Sequence, residues 1–516
     1  MENKFRNHIT IILEQAGAFF WAMCLIIIMN LDDIPEMIRD LKDKENALAI
    51  LIIGAVIFGI FLLNVVVTCF RWYKTWISID DTSITISRNT LNKSVNTIGI
   101  KNISNVNLEQ NFLEMVLGTC KVKLDTDSRS TADSTDLTIL LKKDKAEAFK
   151  AAIIERLDAE NVRSTVEEGE EAPMAPDVEY DIMYSGMDIV MHCIYTVPIW
   201  GILVTLGGIV ALIVALVSFG AEEGIREYIG GVEEIVGGGI ALLFVLASAI
   251  RSIIGDFFKY YEFCARREGD RIHLQYGLLK KYSYDIPVKR INSVIATKSV
   301  ISRLCKRSCV ELVNVGLGDE NQESVKLLLS VKDSQIYDCL RTLLPEFAGY
   351  FDGSTADEIV RQPKKIWISH LFGLFVWIVL MTVAFILMKY VNLFEGEIEV
   401  MYGVVGAMAG IVLFVLLGCF GSYRANGLCI RDKHMVISSG MFAVSTQFVQ
   451  YSKIQYMEFD QGPIIRSLHM KRGQMYILAS MTQNMISVPE FEETYMEKIT
   501  ERYLNDCQSS RGINRG

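Results

Sequence analysis

Six apolar stretches set the pattern of the chain. They run from Ile9 to Met29, Ala47 to Phe70, Ile189 to Phe219, Ile235 to Phe258, Ile366 to Val391 and Val400 to Cys419. Each is at or near the ~20 residues that a helix needs to cross hydrocarbon. They come in three pairs: a short polar loop separates the members of a pair, and a much longer polar segment follows the second member. The first stretch reads as a retained span and not as a cleaved signal peptide. Gln15 interrupts it early, no small-residue cleavage site follows Met29, and the next span arrives at once.

Inside the polar segments the period of the apolar residues changes from that of a helix to that of a strand. Three 23-residue windows align without a gap: Ile84 to Val106, Ile272 to Val294 and Met435 to Met457. Asn89, Gly277 and Gly440 coincide, and these residue types tolerate the positive φ of a hairpin turn. Ile98, Ile286 and Val449 coincide, then Ile100, Val288 and Tyr451, then Ile103, Ile291 and Ile454. A step of two between the first two sets is a strand with one buried face. Each segment then carries a stripe at steps of three and four: Phe149, Ile153, Leu157; Ile336, Leu340, Leu343; Phe491, Tyr495, Ile499, Tyr503. The expectation is an α+β membrane protein built from three copies of a helical hairpin followed by a β-rich globule that one helix closes. Hairpins are assigned to 1–70, 187–258 and 366–423, and globules to 71–160, 259–350 and 424–505. Linkers span 161–186 and 351–365, and a tail spans 506–516.

Paired spans followed by strands, a glycine hairpin, the segment Ile286-Pro287 to Val294 and a terminal helix resemble the bacterial pleckstrin-homology (PH) domain of the second type. The threefold repetition resembles the YdbT-like membrane proteins of Gram-positive bacteria. The middle copy matches best, through Tyr276-Gly277-Leu278-Leu279. The first has Asn89 for the glycine and Gly99 for the proline, and the third has Gln450 for the proline and Ser452 for the first base. The resemblance implies a seven-stranded, partly open PH-like β-barrel capped by a C-terminal helix, with no catalytic residues. It also implies a smaller single-PH-domain membrane protein as companion, and a role in envelope maintenance or in resistance to membrane-active peptides.

Composition agrees with the bilayer reading: 51% of residues are hydrophobic and 22% charged, with a mean hydropathy of +0.29. A net charge of -10 provides no global basic field for nucleic acid, and eleven cysteines are too few for a disulfide scaffold. Charge by segment fixes orientation. The loop Leu31 to Asn46 has six acids against three bases, Gly220 to Glu234 has five against Arg226, and Asn392 to Glu399 has three against none. Bases collect at the opposite ends of the spans, in Lys4, Arg6, Arg71, Lys74, Lys259, Arg266, Arg267, Lys364, Lys365 and Arg424. The globules and both termini are therefore expected in the cytoplasm.

The middle globule concentrates base: Lys280, Lys281, Lys289, Arg290, Lys298, Arg303, Lys306 and Arg307 stand against Asp285 alone. Such a segment can lie against anionic phospholipid, dock an acidic protein segment, or remain a solvated face that enforces topology. The acidic linker from Asp158 to Asp181 could shield it. Ionisable groups in or beside the spans are further candidates: His8, His192 and His370 recur at the start of each repeat, with Glu14 and Arg251 besides. Three converging histidines could bind metal, but an interfacial anchor suits their position better, so no metal and no cofactor is expected. No phosphate-binding loop, nucleophile elbow, HExxH or paired CxxC occurs. The expected role is a non-enzymatic scaffold whose globules bind membrane lipid or a partner protein. The alternative is a transporter or channel with regulatory globules, against which the lack of a polar line through the helices counts.

Overall fold

A computed structural model describes residues 4–14, 17, 44–80, 82–90, 93–126, 137–162, 180–197, 201, 250–251, 253–314, 324–349, 358–390, 398–477 and 485–512. The chain forms two units, 1–127 with 135–176 and 279–284, and 128–134 with 177–278 and 285–516.

The first unit holds the first globule. Strand β1 (Lys4–Phe5) precedes the apolar region and pairs antiparallel with β2 (Thr75–Ile79), which follows the long helix α1 (Lys44–Lys74). Strands β3 (Ser83–Asn89) and β4 (Lys93–Gly99) complete a four-stranded sheet in the order β1-β2-β3-β4. Strand β5 (Ile103–Asn111), the short helix α2 (Phe112–Leu117), β6 (Thr119–Thr126) and β7 (Leu137–Lys142) build a second layer, and α3 (Lys143–Val162) closes the fold. Alternation along the strands aims Ile77, Ile84 and Ile86 of one sheet and Val106, Val122, Leu124 and Ile139 of the other at Phe149 and Ile153 of α3. The far edge of β5 is also occupied. Residues 280–283 of β11 (Lys280–Pro287) pair with it, Lys280 opposite Asn111 and Ser283 opposite Leu108.

The second unit repeats the plan twice. Strand β8 (Ile182–Met183) pairs with β9 (Cys264–Glu268), and β10 (Arg271–Tyr276) and β11 follow in order. Helix α4 (Gly186–Tyr195) lies between β8 and β9 in sequence. The three-stranded layer is β12 (Ser293–Lys298), β13 (Arg307–Val313) and β14 (Val325–Lys332), with α5 (Val300–Leu304) between its first two strands. Helices α6 (Ile336–Leu343) and α7 (Pro345–Ala348) follow. In the third copy, β15 (Val360–Arg361) pairs across α8 (Ile366–Tyr390) and α9 (Ile398–Ala425) with β16 (Gly427–Ile430). Then come β17 (His434–Gly440), β18 (Val444–Gln450), β19 (Ile454–Asp460), α10 (Pro463–Ser467), β20 (Met470–Ile477), β21 (Met485–Glu492) and α11 (Glu493–Gly512).

Every globule therefore has seven strands, four in one layer and three in the other. The sheets stay open, and no closed barrel forms among the described residues. Strand β12, at the seam of the middle globule, gives its outer edge to β18, from Ser293 opposite Val449 to Lys298 opposite Val444. One continuous sheet then serves two cores. Val313 lies in the core of Met435, Val449, Tyr451 and Ile486, and Ile295 packs against it. The alternation of the strand turns buried Val294 and Ala296 to the opposite face.

Among the described residues three helices are long and apolar enough to span a membrane: Val56–Lys74, Ile366–Tyr390 and Met408–Ala425. Most of the first, third and fourth apolar stretches, the first two polar loops and residues 163–179 of the acidic linker lie outside the described residues. Three sequence expectations change. Asn89 is not among the positive-φ residues, whereas Gly277 (110°) and Gly440 (149°) are. Phe491 lies in strand β21, one residue before its end, instead of opening the helix. A Cβ at Gly418 or Gly421 of α9 would clash with Met441 of the β17–β18 turn, whereas one at Gly406 would meet nothing within 4 Å among the described residues. The third apolar stretch starts as α4, a helix that ends at Tyr195 and buries Ile189, His192 and Cys193.

At Gly440 a Cβ would stand 2.0 Å from the Ala443 carbonyl oxygen. Gly440→Ala is expected to cost roughly 1–3 kcal/mol, read as earlier thermal unfolding of the detergent-solubilised chain, while Gly406→Ala leaves that temperature unchanged.

Candidate membrane-facing surface

In each globule a short helix follows the fifth strand and is tethered to the segment at the start of the apolar region. In the middle copy Ser299 caps α5, its Oγ accepting from the Ser302 amide at 3.2 Å. The Ser299 hydroxyl also donates to the Tyr195 carbonyl at the end of α4, as does the Ser302 hydroxyl at 3.0 Å. In the third copy Lys365, just before α8, donates to the Leu468 carbonyl beside α10 at 3.4 Å and pairs with Glu492 at 2.9 Å. In the first copy a capping box of Asn111 and Glu114 starts α2. Lys121 bridges Glu114, at 3.3 Å, to Glu14 in the first apolar stretch.

These tethered helices expose apolar side chains that a soluble surface would cover. Phe112, Leu113, Val116 and Leu117 of α2 are all exposed, and Leu304 of α5 is 81% exposed. Arg303, Cys305 and Lys306 are exposed around Leu304. An apolar tip flanked by bases, held next to the start of an apolar stretch, suits the headgroup region of an anionic leaflet.

Most of the basic residues singled out in the sequence have partners. In the first unit, Lys280 pairs with the buried Glu109 at 3.2 Å and sits 4.7 Å from the Tyr282 ring, and Lys281 is exposed. In the second, Lys289 meets Asp270 at 3.0 Å and Lys298 meets Asp333 at 2.6 Å. Arg303 donates to the Phe442 carbonyl at 3.1 Å. Arg307 donates to the Ser330 carbonyl at 2.8 Å and lies 5.2 Å from the Tyr195 ring. Arg290 is half-buried and Lys306 exposed.

The titratable candidates of the spans have unlike surroundings. His8 bonds Thr10 at 3.0 Å and lines a cavity of about 390 Å³ with Arg6, Lys142 and Lys145. His370 is in α8 with its ring edge-on to Trp367. Arg251 is helical and exposed. His192 is fully buried in the middle globule: Nδ1 is 2.7 Å from the Ser330 hydroxyl, Nε2 is 3.2 Å from the Lys326 ammonium, and the ring meets Tyr260 edge-on. An ammonium can only donate, so Nε2 accepts and Nδ1–H donates to Ser330. Burial, helped by Lys326, holds this imidazole down to about 3. Burial pushes the Cys309 thiol up to about 12, which leaves Cys305 the exposed, addressable one of that pair.

Comparison with known proteins then decides the family. The bacterial PH domain profile matches residues 25–157, 199–335 and 372–501, which is most of the chain. The chain belongs to the bacterial PH domain family. It is also similar to the transmembrane protein YdbT of Bacillus subtilis (strain 168), at 20% identity over 470 residues, covering 88% of this chain and 87% of that one. It is a YdbT-like protein with three bacterial PH domains. No solved structure matches.

The three PH-domain matches begin inside the apolar stretches, so they leave out β1, β8 and β15. Sequence reasoning also passed over these strands, because two residues cannot display alternation. It passed over α2 as well, although the apolar run Phe112-Leu113 with Met115-Val116-Leu117 directly after a strand was a visible signal.

His192 is neutral in the fold and ionises near the ordinary histidine value of 6.5 in the unfolded chain. Below about pH 6.5 the unfolded state thus binds more protons, and stability falls as pH drops toward 3. Thermal unfolding of the middle PH domain followed between pH 7 and 4 is expected to drop by an amount on the order of 2 kcal/mol or more, and His192→Gln is expected to flatten that part of the profile.

Proposed function

We propose that this chain is a six-span membrane scaffold. Its apolar stretches form three hairpins, and its three PH domains lie on the cytoplasmic side against their own bilayer, where they bind anionic lipid headgroups and act without catalysis. The observation that carries the reading is the strand pairing across each apolar region. Phe5 opposite Ile77, Met183 opposite Cys264 and Arg361 opposite Gly427 bring the start and the end of each region to one place. A chain that leaves a sheet and returns to it crosses a bilayer an even number of times. Further contacts support the same closure. The Trp72 indole donates to the Asn7 carbonyl at 2.8 Å, the Arg6 guanidinium lies 3.8 Å from the Trp76 ring, and Arg361 donates to the Arg424 carbonyl at 3.1 Å.

The acidic loops then select the side, since bases are retained in the cytoplasm. Lipid contact falls to the tethered tips. Leu304 supplies apolar surface and Arg303 and Lys306 supply charge, each base near an anionic surface contributing about 1 kcal/mol. The role in envelope maintenance or in resistance to membrane-active peptides, and a smaller single-PH-domain companion, rest on the family resemblance.

Cys305 sits in the proposed contact and reports on it. A membrane-impermeant maleimide is expected to label it in inside-out vesicles and not in intact cells, and labelling in intact cells would overturn the topology. An environment-sensitive dye on Cys305 is expected to shift to the blue in nanodiscs of anionic lipid relative to zwitterionic ones. Arg303→Gln with Lys306→Gln removes on the order of 2 kcal/mol of that preference; an unchanged shift rejects the lipid contact.

A further inference from the structure

The two joints between successive copies are one interaction used twice. Extended without a gap, the alignment of the repeats places Gln110 with Lys298 and Gln461, and Lys93 with Lys281 and Val444. In the first joint Gln110 faces Lys281, Glu109 faces Tyr282 and Leu108 faces Ser283. In the second Lys298 faces Val444, Thr297 faces Ser445 and Ala296 faces Thr446. These are the same repeat positions in the same register. The fifth strand of one copy thus accepts the fourth strand of the next, always head to tail.

Such a contact leaves one donor edge and one acceptor edge over. Strand β4 has only β3 beside it at the end of the first sheet, and β19 has only β20 beside it at the end of the last, among the described residues. Both are seven residues long, and an edge strand can template pairing with another chain. Their charges are of opposite sign: β4 carries Lys93 and no acid, whereas β19 carries Glu458 and Asp460 and no base. In the second joint Ile295 of the accepting strand lies toward the core of the incoming copy; the equivalent position of β19 is the exposed Glu458. Val95 of β4 is 67% exposed on its outer face, and the shared register sets it opposite Phe459, which packs on the core of the third globule.

We propose that β19 of one chain pairs with β4 of a second copy in this same register, Gln461 opposite Lys93, Glu458 opposite Asn96 and Tyr456 opposite Ile98. The contact is heterologous, so it builds a ring where the rotation closes and a filament where it does not. Each sheet edge used between copies within the chain is then used once more between chains.

Two differently tagged chains, one with Asn96→Cys and one with Glu458→Cys, test the pairing when co-expressed and oxidised with copper phenanthroline in native membranes. Both positions are exposed, so neither substitution opens a core. Ile295→Cys with Gln447→Cys in one chain occupies the equivalent positions of the second joint and reports whether this register closes a disulfide. The expected result is a band shifted from one chain mass to two that carries both tags and is absent from the unsubstituted chain. The proposal is overturned by closure of the control pair without any two-tag band. It is equally overturned by dimers from either single variant alone, by capture of a different protein at Glu458→Cys, or by closure of Asn96→Cys onto Glu458→Cys only within one chain.

Discussion

Backbone hydrogen bonds between a two-residue strand and the strand that starts a globule hold the ends of each apolar region together. The Lys4–Phe5 strand is too short to persist alone, since a hydrogen bond contributes only about 1 kcal/mol net. Its neighbours supply the rest. Phe5 packs edge-on against Phe149 in the core, and Arg6 lies across Trp76. In the third copy the Arg361 guanidinium and the Gln362–Asn426 amide pair do the same for β15. In sequence, each apolar region thereby lies between the first and second strands of its globule's sheet.

A sheet made in this way has edges to dispose of. The first two seams are covered by the next copy, and the cover is specific. Glu109 is almost fully buried between Lys123, at 2.8 Å, and Lys280, at 3.2 Å. A buried carboxylate with one lysine missing would be costly, so the first joint is selected by charge as well as by backbone pairing. The second joint uses apolar contact instead, with Ile295 and Val313 completing the core of the third globule. Equivalent strands, held by different chemistry, keep each copy from pairing with the wrong neighbour.

The repeat was legible because burial imposes period on sequence. Ile103, Ile291 and Ile454 coincide in the alignment and are all buried, as are Ile100, Val288 and Tyr451. Position-by-position identity mattered less than which face must be dry. The joints were not legible, because an edge strand is defined by what lies beside it and β12 reads like any other half-buried strand. His192 misled for a related reason. A helix buried on one face against a sheet is as apolar as the start of a membrane span, and only the contacts with Ser330, Lys326 and Tyr260 separate the two. The eight bases looked like one field in sequence, but Lys280, Lys289 and Lys298 pair with Glu109, Asp270 and Asp333, and Arg303 and Lys306 are exposed on either side of Leu304.

Because the accepting strand of each joint precedes the incoming one in the chain, manufacture proceeds in the order that the contacts require. When β18 leaves the ribosome, β12 and the side chain of Ile295 have already been made, so the nascent third globule condenses on a finished template. Each accepting strand is thus already made when the strand that pairs with it is synthesised.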